Sequence, residues 1–145
     1  MKDGLTEWKN CIDNDVSIRI TSDKQKARSL IETAFDRIEQ INKDLNEKTA
    51  NYIFEDYYTS IVEILEAIAL LNGYKILNHV CLGFYLRDVL NKEDLYRLFN
   101  DLRFKRNSLV YYGKRMDFEI AKQVISNSKK LMAELDFIIK KYNLG

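Results

Sequence analysis

The chain has 145 residues, a length that suits one domain with a real hydrophobic core and is too short for two ordinary domains. Proline is absent and only 5 residues are glycine, which disfavours a loop-rich β architecture, while helix formers fill most of the sequence. The formal net charge of +1 excludes a protein that is held on nucleic acid by bulk charge alone. We therefore predict one all-α domain over residues 1–145.

Five helices are predicted after a lead-in segment, residues 1–20. Within the lead-in, residues 6–11 are predicted as a helical turn, and residues 16–20 alternate in hydropathy as an extended segment does. Ser22 and Gln25 form a capping box that begins the first long helix. The predicted helices cover approximately residues 22–46, 51–72, 78–90, 93–112 and 117–142. This order predicts an antiparallel bundle of four or five helices.

The second predicted helix is apolar around most of its circumference. Such a helix either lies at the centre of its own fold or packs against a second copy of the chain. In so small a domain we favour the second copy, with Tyr57 and Tyr58 among the contact residues. The helix pattern therefore contributes to the expectation of a homodimer.

The cysteines and the hydropathy profile predict a cytoplasmic protein. Cys11 and Cys81 lie far apart without metal-ligand spacing, so we expect two free thiols in a reducing compartment. The N-terminus has no signal-peptide pattern. The most apolar run, residues 61–71, is interrupted by Glu63 and Glu66, so no membrane span is expected.

The residue inventory excludes several kinds of catalytic site. The single histidine, His79, cannot supply the paired motifs of a di-iron bundle, and no zinc site or Ser-His-Asp triad can be assembled around it. No phosphate-binding Walker loop or glycine-rich dinucleotide fingerprint occurs. In the first turn of its predicted helix, His79 is expected to make a local hydrogen bond. We predict no metal and no cofactor.

The segment 101–117 carries the candidate site, because basic and aromatic residues gather there with only one acid, Asp101, between Arg97 and Arg115. Arg106 falls on the apolar stripe of the fourth helix, where an unpaired charge is costly, so it needs partners. Those partners are either an acid on a neighbouring helix or a bound phosphate, and both remain open. Tyrosine can stack on a base. The candidate ligand-binding residues are Arg103, Lys105, Arg106, Asn107, Tyr111 and Tyr112.

Residues 106–112, Arg-Asn-Ser-Leu-Val-Tyr-Tyr, resemble the Arg-Asn-x-x-x-His signature of the HEPN superfamily (higher eukaryotes and prokaryotes nucleotide-binding). The order of helices is similar too, with an apolar second helix that ends at residues 71–74 and a histidine that opens the third. The likeness runs from about Arg19 to Tyr142 and is to the short stand-alone type. It implies a small helical bundle, usually a homodimer, whose active relatives are metal-independent ribonucleases.

The motif departs from the family pattern at its histidine, whose position falls on Tyr111. The tyrosine that a nucleotidyltransferase antitoxin modifies in toxin members falls on Gly113, with Tyr112 one residue away. Tyrosine, with an ordinary pKa of about 10, transfers protons poorly near neutral pH. Arg106 and Asn107, the catalytic residues of an active member, are therefore expected to hold a phosphate while cleavage is weak or absent.

Three functions follow from the resemblance. The first is a homodimer that binds RNA or a nucleotide in a basic cleft between subunits. The second is an interaction module that pairs with a minimal nucleotidyltransferase, as in toxin–antitoxin systems. The third is an active ribonuclease in which Tyr111 or Tyr112 replaces the histidine.

Overall fold

Helices make up 70% of the structure, a computed structural model that describes residues 4–144. The elements in chain order are α1 (Trp8–Asp13), β1 (Ser17–Arg19), α2 (Lys24–Glu39), α3 (Ala50–Leu71), β2 (Tyr74–Ile76), α4 (His79–Phe84), α5 (Glu93–Tyr112) and α6 (Phe118–Ile139). A π-helical turn, Tyr85–Val89, continues α4 directly. The helical class predicted from composition is confirmed, with one two-stranded sheet as an exception.

Helix α3 lies at the centre of the fold, and 15 of its 22 residues are buried. It packs against α2 and α6 and also contacts α4 and α5. Tyr57 and Tyr58, at 8% and 2% exposure, are covered by the chain itself. The prediction that this apolar surface faces a second copy is therefore wrong, because the surrounding helices already bury both of its sides. None of the helices described in residues 4–144 combines the length and hydropathy that crossing a bilayer requires.

The two strands pair antiparallel and join the lead-in to the segment that precedes α4. Ser17 lies opposite Ile76, and Arg19 lies opposite Tyr74. The extended segment predicted at residues 16–20 is confirmed, whereas β2 lies between the predicted helices 51–72 and 78–90, where no strand was predicted. A three-residue strand is too short to show a period of its own, so its partner determines it.

Cys11 and Cys81 form a disulfide, with their Sγ atoms 2.10 Å apart and their Cα atoms 6.0 Å apart. The prediction of two free thiols is wrong, and its argument for a reducing compartment fails with it. The pairing has no signal in the sequence because 70 positions separate the cysteines. The residues meet because α1 packs against α4.

Capping residues set the ends of several helices, including the two that line the site described below. Asn78 accepts a hydrogen bond from the Cys81 amide at the start of α4, and Asp117 accepts one from the Ile120 amide at the start of α6. Each is the first residue of a range predicted as a helix from the sequence. Gly113 ends α5 in the left-handed region at φ 61°. The predicted cap at Ser22 is wrong: Asp23 caps α2 through the Lys26 amide.

Candidate functional site

A pocket of about 310 Å³ lies between the first turn of α4 and the second half of α5. We call it the arginine pocket, and its lining residues are Leu77, Asn78, His79, Val80, Arg103, Arg106, Asn107 and Tyr111. Gly83 allows the two helices to approach, because a Cβ atom there would lie 3.2 Å from the Tyr96 ring. All eight of these lining residues come from one chain.

Arg106 has no acidic partner within 4.0 Å among the residues described. Its guanidinium carbon lies 5.5 Å from the centroid of the Tyr58 ring, a cation–π contact that leaves its N–H donors free. The structural ion pair considered from the sequence is therefore not formed. A half-buried guanidinium without a counter-ion favours an anion as its partner.

Arg103 and Asn107 extend this polar surface along one face of α5, because residues three and four apart are neighbours on a helix. The Arg103 guanidinium donates to the Asn100 side-chain oxygen at 2.9 Å and pairs with no acid in the range 4–144. The Asn107 side chain makes no hydrogen bond to another described residue. Two guanidinium groups and a free amide therefore line one wall of the pocket.

His79 faces them from the first turn of α4. Its Nδ1 atom lies 3.0 Å from the Tyr58 hydroxyl. Burial lowers the pKa of His79, and the positive charges of Arg106 and Arg103 lower it further, so the imidazole is neutral at pH 7. Burial likewise raises the pKa of Tyr58 far above its ordinary value, so its hydroxyl stays protonated.

The second ring nitrogen of His79, Nε2, is the one available to a ligand. It has no hydrogen-bond partner among residues 4–144 and is not sealed from solvent. When the Tyr58 hydroxyl donates to Nδ1, Nε2 carries the N–H and can donate to an anion. When Nδ1–H donates to the Tyr58 oxygen, Nε2 can accept a proton instead.

Four of the six predicted ligand-binding residues line the arginine pocket: Arg103, Arg106, Asn107 and Tyr111. Lys105 lies outside it and pairs with Asp101 at 3.4 Å. Tyr112 also lies outside and is 80% exposed. Both are about half a turn around α5 from Arg103, so one pocket cannot gather all six residues.

Asn78 and His79 belong to the pocket but were not among the predicted site residues. The sequence gives no indication that these residues lie near Arg106. They do so because α4 packs on α5. The one available signal was chemical: the chain has a single histidine, and it opens a helix that Asn78 caps.

Buried contacts hold both walls of the pocket in place. The Tyr58 ring stacks on Phe99 of α5, with centroids 5.9 Å apart and planes within 8°. Buried Asn51 of α3 donates to the Met116 carbonyl at 3.1 Å and accepts from the Met116 amide at 3.0 Å. These contacts fix the middle of α5 and the connection that follows it, so the pocket is largely preformed.

The donor set of the arginine pocket suits an anion. In the part of the chain that the structure describes, no group of three His, Cys, Asp or Glu side chains is placed to hold a metal ion. Comparison with protein-family models, curated proteins and solved structures gives no significant match for this chain. Fold and pocket together define a small helical protein with a basic pocket between two helices.

Proposed function

We propose that this protein binds RNA or a nucleotide by placing a phosphate group in the arginine pocket. The observation that carries the proposal is the unpaired guanidinium of Arg106, which shares one wall of the pocket with Arg103 and faces His79 on the other. Arginine holds phosphate oxygens through paired, charge-assisted hydrogen bonds. Asn107 and the Nε2–H tautomer of His79 add neutral donors, which suits a ligand with several acceptor oxygens.

The exposed aromatic residues near the pocket favour a nucleic acid over inorganic phosphate as the ligand. Tyr111 lines the pocket and is 68% exposed, so its ring is free to stack on a base. Phe104, at 57% exposure, lies two turns before it along α5. A phosphate site flanked by exposed aromatic rings is typical of proteins that bind single strands.

The assembly state belongs to the proposal as well. We infer a homodimer from the HEPN resemblance, with the second copy near the exposed aromatic end of α5, which includes Tyr111 and Tyr112. Such a dimer would enclose a pocket that each chain already builds alone. A minimal nucleotidyltransferase partner is supported by the resemblance only.

Substituting Arg106→Ala is expected to weaken binding of a labelled single-stranded RNA octamer by about 10- to 100-fold, because charged hydrogen bonds to phosphate are lost. Fluorescence anisotropy at low salt measures the affinity. Arg97→Ala is the matched control, since Arg97 lies on the same helix, is exposed and is outside the pocket. Equal affinity of wild type and Arg106→Ala would contradict the proposal.

Ribonuclease activity is the second candidate, and His79 is the observation that favours it. The sequence offered Tyr111 or Tyr112 as the proton-transfer group, but the neutral imidazole lies in the same pocket as Arg106. In the Nδ1–H tautomer, Nε2 would accept the proton of a ribose 2′-hydroxyl. The bond from O2′ to phosphorus then forms, the bond to the 5′-oxygen breaks, and that oxygen takes a proton from water. Arg103 and Arg106 would stabilise the charge on phosphorus oxygens.

If this second function holds, His79→Asn is expected to lower the cleavage rate by about 100-fold or more while affinity for RNA changes little. The wild-type rate should fall as the pH drops below the pKa of His79, because the protonated ring cannot act as a base. This fall lies below pH 6.5, since the pKa is lowered from its ordinary value of 6.5. Cleavage that survives in both His79→Asn and Arg106→Ala would point to a contaminating nuclease.

A further inference from the structure

A second pocket, of about 250 Å³, adjoins the arginine pocket on the α3 side. We call it the glutamate pocket, and its lining residues are Tyr58, Thr59, Val62, Glu63, Glu66, His79 and Arg106. His79 and Arg106 line both pockets, so the two spaces meet at these side chains. A ligand anchored at Arg106 in the arginine pocket therefore lies next to the glutamate pocket.

The two acids of this pocket differ in their partners. Glu63 forms an ion pair with Arg37, whose Nη1 and Nη2 atoms both donate to its carboxylate. Glu66 makes no ion pair or hydrogen bond with any residue from 4 to 144. It is half-buried, and burial followed by the charge of Glu63 raises its pKa, while Lys26 opposes the rise. Glu66 is therefore a carboxylate with both oxygens open to a ligand.

A ligand that reaches both this carboxylate and the phosphate site needs two different ends. An ionised carboxylate only accepts hydrogen bonds, and it repels phosphate. The group that reaches Glu66 must therefore present donors, while the phosphate stays with Arg103 and Arg106. Among the nucleobases, guanine presents two adjacent donors, N1–H and the 2-amino group, at the spacing of one carboxylate. Adenine, cytosine and uracil place an acceptor next to their donor.

Resting on the proposed function, the geometry points to recognition of a guanine nucleotide: we propose that Glu66 accepts hydrogen bonds from guanine N1–H and its 2-amino group while the phosphate binds Arg103 and Arg106. Val62 supplies an apolar wall for the base, and the Tyr58 hydroxyl is already engaged with His79. The partial burial of Glu66 strengthens such hydrogen bonds, because water competes less there. The same chemistry applies to a free nucleotide and to a guanosine within RNA.

The test compares the binding of GMP, IMP and AMP by calorimetry. IMP lacks the 2-amino group, so wild type is expected to bind GMP about 10-fold or more tightly than either other nucleotide. Glu66→Gln is expected to remove this preference, because the glutamine amide offers guanine one donor where an acceptor is needed. Glu55→Gln is the matched control, being the same change on α3 outside both pockets.

Two failures of this test are distinguishable. If GMP, IMP and AMP bind equally and Arg106→Ala abolishes all three, the phosphate site stands and the guanine assignment is wrong. If wild type binds none of them and no RNA, the proposed function fails and the guanine assignment fails with it. A comparison of RNA octamers with and without one guanosine shows whether the ligand is a free guanine nucleotide or a guanosine within RNA. If guanine is preferred only in the octamers, the ligand is an RNA strand. If it is preferred both in the octamers and among the mononucleotides, the site recognises the guanine nucleotide itself.

Discussion

Reduction of the Cys11–Cys81 disulfide is expected to lower the free energy of unfolding by about 4 kcal/mol. The physical reason is the 70-residue separation of the two cysteines, since a cross-link over a long loop removes much entropy from the unfolded chain. Urea unfolding with and without dithiothreitol measures the change. The double variant Cys11→Ala, Cys81→Ala is expected to lose a similar amount in the absence of reductant.

Reduction of the disulfide is expected to have little effect on the arginine pocket. Cys81 lies two residues after His79, and α1 is also held by a hydrogen bond from the Trp8 amide to Asp88 at 2.8 Å. Because reduction does not break this bond or the strand pairing, we expect folded, reduced protein to keep the proposed RNA affinity within about 3-fold. An unchanged unfolding midpoint in protein whose thiols are shown to be reduced would contradict the stability argument.

The helices were predictable from sequence because their evidence is local. Period and caps, such as Asp117 at the start of α6, depend on residues within a few positions of one another. The strand β2 and the Cys11–Cys81 bond were not predictable, because each depends on a partner more than 50 positions away. The prediction that a second copy covers Tyr57 was wrong for a related reason. A helix that is apolar on all sides is expected to be buried, but its sequence does not show which element covers it.

The candidate site divides in the same way. The part on α5 was visible, because Arg103, Arg106 and Asn107 lie on one helical face. The contributions of His79 and Glu66 were not, since α4 and α3 reach the arginines only through tertiary packing. The short motif therefore identified one wall of the pocket. His79, the residue that could transfer a proton, lies on the opposite wall and was identified only from the structure.

Substituting Phe99→Ala is expected to lower the free energy of unfolding by about 3 to 5 kcal/mol, because it leaves a cavity at a fully buried position. The loss should extend to function. Phe99 stacks on Tyr58, which in turn contacts both His79 and Arg106. Without that support the Tyr58 ring is free to move, so RNA affinity measured on folded protein is expected to fall by about 10-fold.

Leu135→Ala is the matched control for this pair of effects. Leu135 is also fully buried, but it lies on α6 and lines neither pocket. It should cost about 2 to 5 kcal/mol of stability while RNA affinity stays within about 2-fold. Phe99→Leu leaves a smaller cavity, so it is expected to destabilise less and serves as the second variant for the binding measurement. If Phe99 and Leu135 variants lose stability alike and bind RNA as wild type does, the stack on Tyr58 supports the fold alone.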